Sequence, residues 1–246
     1  MTNATPDTSL RPPIQESVAY IGCKYANGDA SGSGGINDAA VKDIYSDFVA
    51  NAANGVANVS GTNMTYWGKQ ATSAGIPATQ VQYLLANEDG RCGAWAGLLD
   101  YILKFQGLTS SVKNLEPILP ATYVDGYGYT ITYDQNYSEL YVKNTDMSVR
   151  PPNENVPVGI SGQGNPNPKK DFLNHALILY NNLLYDPSYG TTCGNTGGGF
   201  PSLDAWAQQS IAGFSYLYTA TDRNGNFAGV NTVYTVYGSN AKTEFY

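Results

Sequence analysis

Charge is what this sequence has least of. Only 13% of its 246 residues are Asp, Glu, Lys or Arg, about half the share of an average soluble chain. The 13 basic residues are outnumbered by 20 acidic ones, giving a formal charge of −7. The longest basic run is Lys169–Lys170, in a Pro/Asn-rich stretch. A protein that neutralises phosphates needs clustered Lys and Arg, so nucleic acid is excluded as a partner. No apolar stretch reaches the roughly 18 residues of a membrane-spanning helix, so no membrane insertion is expected. Met1 to Gln15 holds no apolar core of a signal peptide. Either the chain is cytosolic or a leader precedes Met1 in the natural protein; the polar, weakly charged composition favours the second, a secreted or cell-surface protein.

Cysteine and histidine are scarce too: three Cys and one His. Structural zinc takes closely spaced Cys pairs, and Cys23, Cys92 and Cys193 contain none, so no metal and no cofactor is expected. One reactive thiol beside a Cys23–Cys193 bridge is a second way to divide three cysteines. Spacing alone does not establish such a bridge, because geometry decides it.

What is present is a core. Hydrophobic residues make up 42% of the chain, and its length suits one domain. Residues 1–17 carry Pro6, Pro12 and Pro13 and read as a flexible lead-in. A single domain over 18–246 follows, with its core at about 60–190 and a helix and strand extension over 200–246. Ile36, Ala39, Ala40, Ile44, Phe48 and Val49 recur at helical period. Residues 79–86 read as a further short helix. The period changes to two at 123–133 and 139–143, rich in Tyr, Val, Ile and Thr, which predicts strands. Residues 144–170 read as a long Pro/Asn/Gly loop, of the kind that walls or lids a cleft. Leu203, Trp206, Ala207, Ile211 and Phe214 suggest a helix, and Val233, Thr235 and Tyr237 a last strand.

The sharpest local signal is Asn87-Glu88-Asp89-Gly90-Arg91-Cys92. After it, Trp95, Leu98, Leu99, Ile102 and Leu103 lie on one helical face, and Gly107 ends the helix. Cys92 is therefore expected in the first turn of a buried helix. The thiolate is the nucleophilic form of cysteine, and a helix N-terminus favours it. Backbone N–H groups of the same turn can face an oxyanion. Cysteine catalysis needs an imidazole as general base, and His175 is the only one in the chain.

A hairpin relates His175 to an acid. If Asn181-Asn182 is a two-residue turn, Tyr180 pairs with Leu183 and Leu177 faces Asp186. His175 and Asp186 then project from one sheet face as diagonal neighbours, roughly 7–8 Å apart at Cβ. An Asp so placed fixes the imidazole tautomer and favours the imidazolium. One residue of slip would put the two on opposite faces.

Gly90-Arg91-Cys92-Gly93-Ala94-Trp95-Ala96, with Leu98, Leu99 and Gly107, resembles the nucleophile helix of transglutaminase-like domains of the bacterial type. Asn174-His175-Ala176 and Tyr185-Asp186-Pro187-Ser188-Tyr189-Gly190 resemble their His and Asp-Pro strands, and the order Cys, His, Asp matches. The resemblance covers about residues 60–190. It implies a papain-like α+β fold, the transglutaminase core: nucleophile Cys at the N-terminus of a buried helix, packed on an antiparallel sheet bearing His and Asp. It implies Cys92 as nucleophile, His175 as general base and Asp186 as orienting acid, acting on peptide or glutamine amide bonds of a protein or peptide substrate. An upstream aromatic or amide side chain often completes the oxyanion hole in such folds: Trp67 is the candidate, with Tyr66 and Gln70 as rivals. No acidic calcium loop is visible. Hydrolase or protease is the favoured reading, with a protein-crosslinking transglutaminase as the alternative. A noncatalytic module keeping the fold, with tyrosines forming its binding face, is the third.

Overall fold

The computed structural model describes residues 12–25, 36–69, 76–116, 122–143, 160–169, 171–193 and 198–236. In chain order its elements are α1 (Pro12–Tyr25), α2 (Ile36–Ala50), β1 (Thr65–Tyr66), α3 (Val81–Asn87), β2 (Asp89–Gly90), α4 (Cys92–Phe105), β3 (Ser111–Leu115) and β4 (Tyr123–Val124). There follow β5 (Thr130–Val142), β6 (Asp171–Phe172), β7 (His175–Tyr180), β8 (Leu183–Tyr185), α5 (Leu203–Ser210), β9 (Ile211–Thr221) and β10 (Phe227–Val236). This is a mixed α+β architecture with antiparallel sheets. No helix among the described residues is long and apolar enough to cross a membrane.

Where one domain after a lead-in is expected, the contacts group the chain into two compact units. The first comprises Met1–Asn114, Ile160–Pro168 and Ala176–Trp206; the second comprises Leu115–Gly159, Lys169–His175 and Ala207–Tyr246.

Unit 1 is organised around α4. Trp95, Leu98, Leu99, Ile102 and Leu103 are all buried, and each such side chain stabilises the fold by roughly 1.5–3 kcal/mol. The α1 and α3 helices pack against α4, and Phe48 of α2 meets Trp95 edge to face at 6.3 Å. Gly107 ends α4 at φ 78°. Its N–H donates to Lys104 O and that of Leu108 to Leu103 O, the paired bonds of a Schellman cap. Residues 12–17 are not a loose lead-in. The α1 helix starts at Pro12, because a proline in the first turn has no N–H to lose, and Ser17 and Val18 are buried.

The β7–β8 hairpin has the register expected of it. Its pairs are Ile178↔Tyr185, Leu179↔Leu184 and Tyr180↔Leu183. Asn181 and Asn182 both take positive φ, 46° and 60°, as a type I′ turn requires. With β3 the hairpin forms a three-stranded sheet in the order β3-β7-β8.

Unit 2 is a sheet in the order β10-β9-β5-β4, with β6 also paired to β5. Its register includes Tyr133↔Tyr218 and Leu140↔Phe214. Two sequence expectations give way here. Residues 123–133 form a hairpin, not one strand: Asp125 Oδ1 accepts the N–H groups of Tyr127 and Tyr129, each at 2.9 Å, which closes the turn between β4 and β5. The last helix stops at Ser210, and Ile211 and Phe214 belong to β9. Alternating Phe214, Tyr216 and Tyr218 put aromatics on one sheet face, and that pairing overrides helical period. Most of the expected loop 144–170 lies outside the described residues; its end, 160–168, belongs to unit 1.

Candidate functional site

Cys92 is the first residue of α4. The N-cap is Arg91, whose side chain makes no capping bond, and no acid stands in the first turn. Ser, Thr, Asp or Asn would normally fill that cap. The start of α4 is held by close packing instead. A Cβ on Gly90 would meet Ala94 Cβ at 3.0 Å and Leu84 Cβ at 3.1 Å, and one on Gly93 would meet Thr79 O at 3.0 Å. The glycines on both sides of Cys92 thus sit where an added Cβ would press on its neighbours. Cys92 is 7% exposed, a value that a thiol filling the core would share. Its neighbours make the difference.

Tyr66 is the foremost of these. Strand β1 pairs in parallel with β2, Thr65↔Asp89 and Tyr66↔Gly90, which brings Tyr66 beside the residues leading into the helix. The ring is held on several sides. Tyr189 meets it edge-on at 5.2 Å, and Gly162 lies flat against it, with no room for a Cβ. Asn165 Nδ2 donates to the carbonyls of Tyr66 and Trp67 at 2.9 Å. The Tyr66 hydroxyl is buried and, among the described residues, has no hydrogen-bond partner. Burial first, then the nearby Tyr189 and Cys92 and finally Asp186, hold its phenol well above the ordinary tyrosine range. The Tyr189 hydroxyl comes close enough to oppose ionisation but lacks hydrogen-bond geometry to Tyr66. Tyr66 is therefore a protonated donor with an unused O–H, close to a thiol and a carboxylate. Leaving such a group unsatisfied costs roughly 1–3 kcal/mol.

Asp186 is fully buried. Its Oδ1 accepts the N–H groups of Ser188 at 3.2 Å and Tyr189 at 3.4 Å. Its Oδ2 accepts the indole N–H of Trp206 at 2.8 Å. The Tyr45 hydroxyl accepts the Asp186 N–H at 3.1 Å and donates to the Thr191 carbonyl. Burial, and then the Asp186 charge, push the Tyr45 phenol well above its usual range.

His175 is fully buried at the head of β7, its ring 5.1 Å from that of Phe172. Trp67 takes φ 53°, rare for a bulky residue. Its ring lies 3.5 Å beneath the Arg91 guanidinium, a cation–π contact. Arg91 Nη1 faces Asp89 Oδ2 at 3.6 Å, and Asp89 Oδ1 accepts Thr65 Oγ1 at 2.9 Å and Gly68 N at 2.6 Å. Asp89 and Arg91 so pin the turn that carries Tyr66 and Trp67. Gln70 lies outside the described residues.

The structure thus brings Cys92, Tyr66 and Asp186 near one another and turns Trp67 toward Arg91. Trp206 and Tyr45 had no sequence signal, since nothing in their own segments marks them as partners of residue 186. No disulfide joins Cys23 to Cys193. Among the described residues no cluster of three or more His, Cys, Asp or Glu could hold a metal ion. No family model, curated protein or solved structure matches the chain.

Proposed function

We propose that the chain is a cysteine-nucleophile acyl-transfer enzyme with a papain-like, transglutaminase-type core, acting on peptide or glutamine amide bonds. Cys92 is the nucleophile, His175 the general base and Asp186 the group that orients it. One observation carries the reading: a buried, protonated and unbonded Tyr66 hydroxyl beside a cysteine that opens an uncapped helix. A thiol filling the core has no use for such a donor, whereas a carbonyl oxygen turning into an oxyanion does. The β7–β8 register lends support. Its pairs run as far as Ile178↔Tyr185, one short of the Leu177–Asp186 pair on which the triad reading relies.

In the reaction His175 takes the thiol proton and the Cys92 sulfur attacks the amide carbon. The C=O electrons move onto oxygen, where Tyr66 O–H and first-turn N–H groups receive them. Collapse breaks the C–N bond, the imidazolium gives its proton to the departing amine, and a thioester remains. Water or a second amine then attacks the thioester and regenerates the thiol. Water is always at hand unless a site excludes it, which favours a hydrolase or protease over a crosslinking enzyme.

Incubating the protein with a glutamine-containing protein and a labelled amine separates these outcomes. Peptide cleavage marks a protease, and amine incorporation a transglutaminase. Either activity should vanish in Cys92→Ala; activity that survives this substitution removes Cys92 from the mechanism.

A further inference from the structure

We propose that Trp206 is a positioning residue of this site, fixing through its indole N–H the plane of the Asp186 carboxylate that serves His175. The proposal rests on the cysteine reading above. The local bonds from Ser188 and Tyr189 N–H hold only Oδ1. They are of the kind an Asp makes to its own backbone in any turn, and they leave rotation about the Cβ–Cγ bond. Trp206 supplies the second point. It reaches Oδ2 from 20 residues away at 2.8 Å, shorter than either local bond. Two anchored oxygens define the plane of the group, and with it the direction of the remaining lone pair.

The donor type matters as well. An indole N–H only donates and carries no proton that titrates in water, so it can orient the carboxylate at any pH without competing for the imidazole proton. The element behind it is built to hold still. Trp206 is fully buried, its backbone N–H donates to Ser202 O at 3.1 Å, and Ser202 Oγ accepts the Ala205 N–H at 3.1 Å as a cap. Two phenols interact with the Asp186 charge, Tyr45 from α2 and Tyr66 from β1. Burial keeps both protonated, so neither replaces the indole as a charge partner.

The test is a double-mutant cycle on the full chain: wild type, Trp206→Phe, Asp186→Asn and the pair, with kcat and KM followed against pH. Trp206→Phe should lower kcat by about 10-fold, in keeping with other hydrogen bonds that support an imidazole from behind. KM should stay within about 2-fold, and the acid limb of the kcat/KM profile should shift. In the Asp186→Asn background the same change should cost less than about 2-fold. Equal losses in both backgrounds, or a lower Tm with an unmoved pH profile, would overturn the proposal. If Trp206→Phe does not fold, the wild-type protein still decides. The Trp206 indole ¹H–¹⁵N resonance should titrate with the midpoint of that acid limb, and a resonance indifferent to pH is the contrary result. Failure of the cysteine reading looks different, because Cys92→Ala then keeps its activity.

Discussion

The two units use their residues differently. In unit 2 the work is done by backbone ladders: β5 pairs with β9 and β9 with β10 over long antiparallel stretches. Its turns are closed by Asp125 and Asp222, each accepting N–H groups two and four residues on. Tyr123, Val124, Tyr127 and Phe227 stand exposed there. In unit 1 the strands are short, β7 the longest at six residues, and helices carry the core. All four non-glycine residues with positive φ among the described ones, Trp67, Glu88, Asn181 and Asn182, belong to it. Trp67 and Glu88 flank the segments bearing Tyr66 and Cys92, and Asn181 and Asn182 connect the hairpin that leads to Asp186. Backbone in sparsely populated conformations persists only where surrounding contacts over-determine it. Unit 1 supplies those contacts through Asp89, Asn165, Tyr45 and Trp206. The difference marks unit 1 as the place where side-chain geometry, not ladder formation, has been settled.

That contrast can be broken most forcefully at Asp186. Asp186→Ala should lower kcat by about 10³-fold or more. It should also destabilise the protein by on the order of 3 kcal/mol, since the indole of Trp206 and two backbone N–H groups lose a buried acceptor. Urea denaturation beside turnover measures both, and a fully active, stable variant would put Asp186 outside the site. Tyr66→Phe should separate function from stability. A loss of about 10²-fold in kcat is expected, with Tm unchanged or raised, because the deleted hydroxyl has no partner to leave behind. A lower Tm with unchanged kcat would make Tyr66 a packing residue.

Alkali should expose the contrast without mutation. Burial, with the Asp38 charge second, pushes Tyr180 and Tyr185 of unit 1 up to about 12, and burial also holds Tyr45 and Tyr66 well above the ordinary tyrosine range. Phenols whose folded pKa lies above the unfolded value of about 10 contribute stability that is complete below pH 10 and lost as pH rises through the folded pKa. The Tm should hold steady from pH 7 to 9 and fall from 10 to 12; a flat profile to pH 12 contradicts the assignment. The smallest effect belongs to unit 2. Tyr127 is 83% exposed, and Tyr127→Ala should move stability by no more than about 0.5 kcal/mol and leave turnover unchanged. A large loss of turnover would mean that the aromatic face of unit 2 takes part in substrate binding.

Which parts of this were legible in the sequence follows from the range of the forces involved. The α4 helix and the β7–β8 register were readable because each is local: an apolar stripe from Trp95 to Leu103, and an Asn-Asn turn that dictates every pair after it. The D-G signal at Asp125-Gly126 was there to be read as well, yet the tyrosine run on both sides made the hairpin look like one strand. Tyr66 could be named among three rivals but not chosen, because its place depends on the parallel pairing of 65–66 with 89–90. Trp206 was read only as one apolar position of a helix. Its role comes from a bond across 20 residues to a buried carboxylate, which no periodicity records.

On the proposed mechanism Cys92 is a built nucleophile and not a thiol that fills the core. Peptide mapping after limited treatment with iodoacetamide at neutral pH tests it directly, with exposed Cys23 as the internal standard. Accessibility alone would direct the label to Cys23. The account predicts that Cys92 is carbamidomethylated first and that activity falls in step with its modification. Labelling of Cys23 while Cys92 stays unmodified in the folded protein would contradict it.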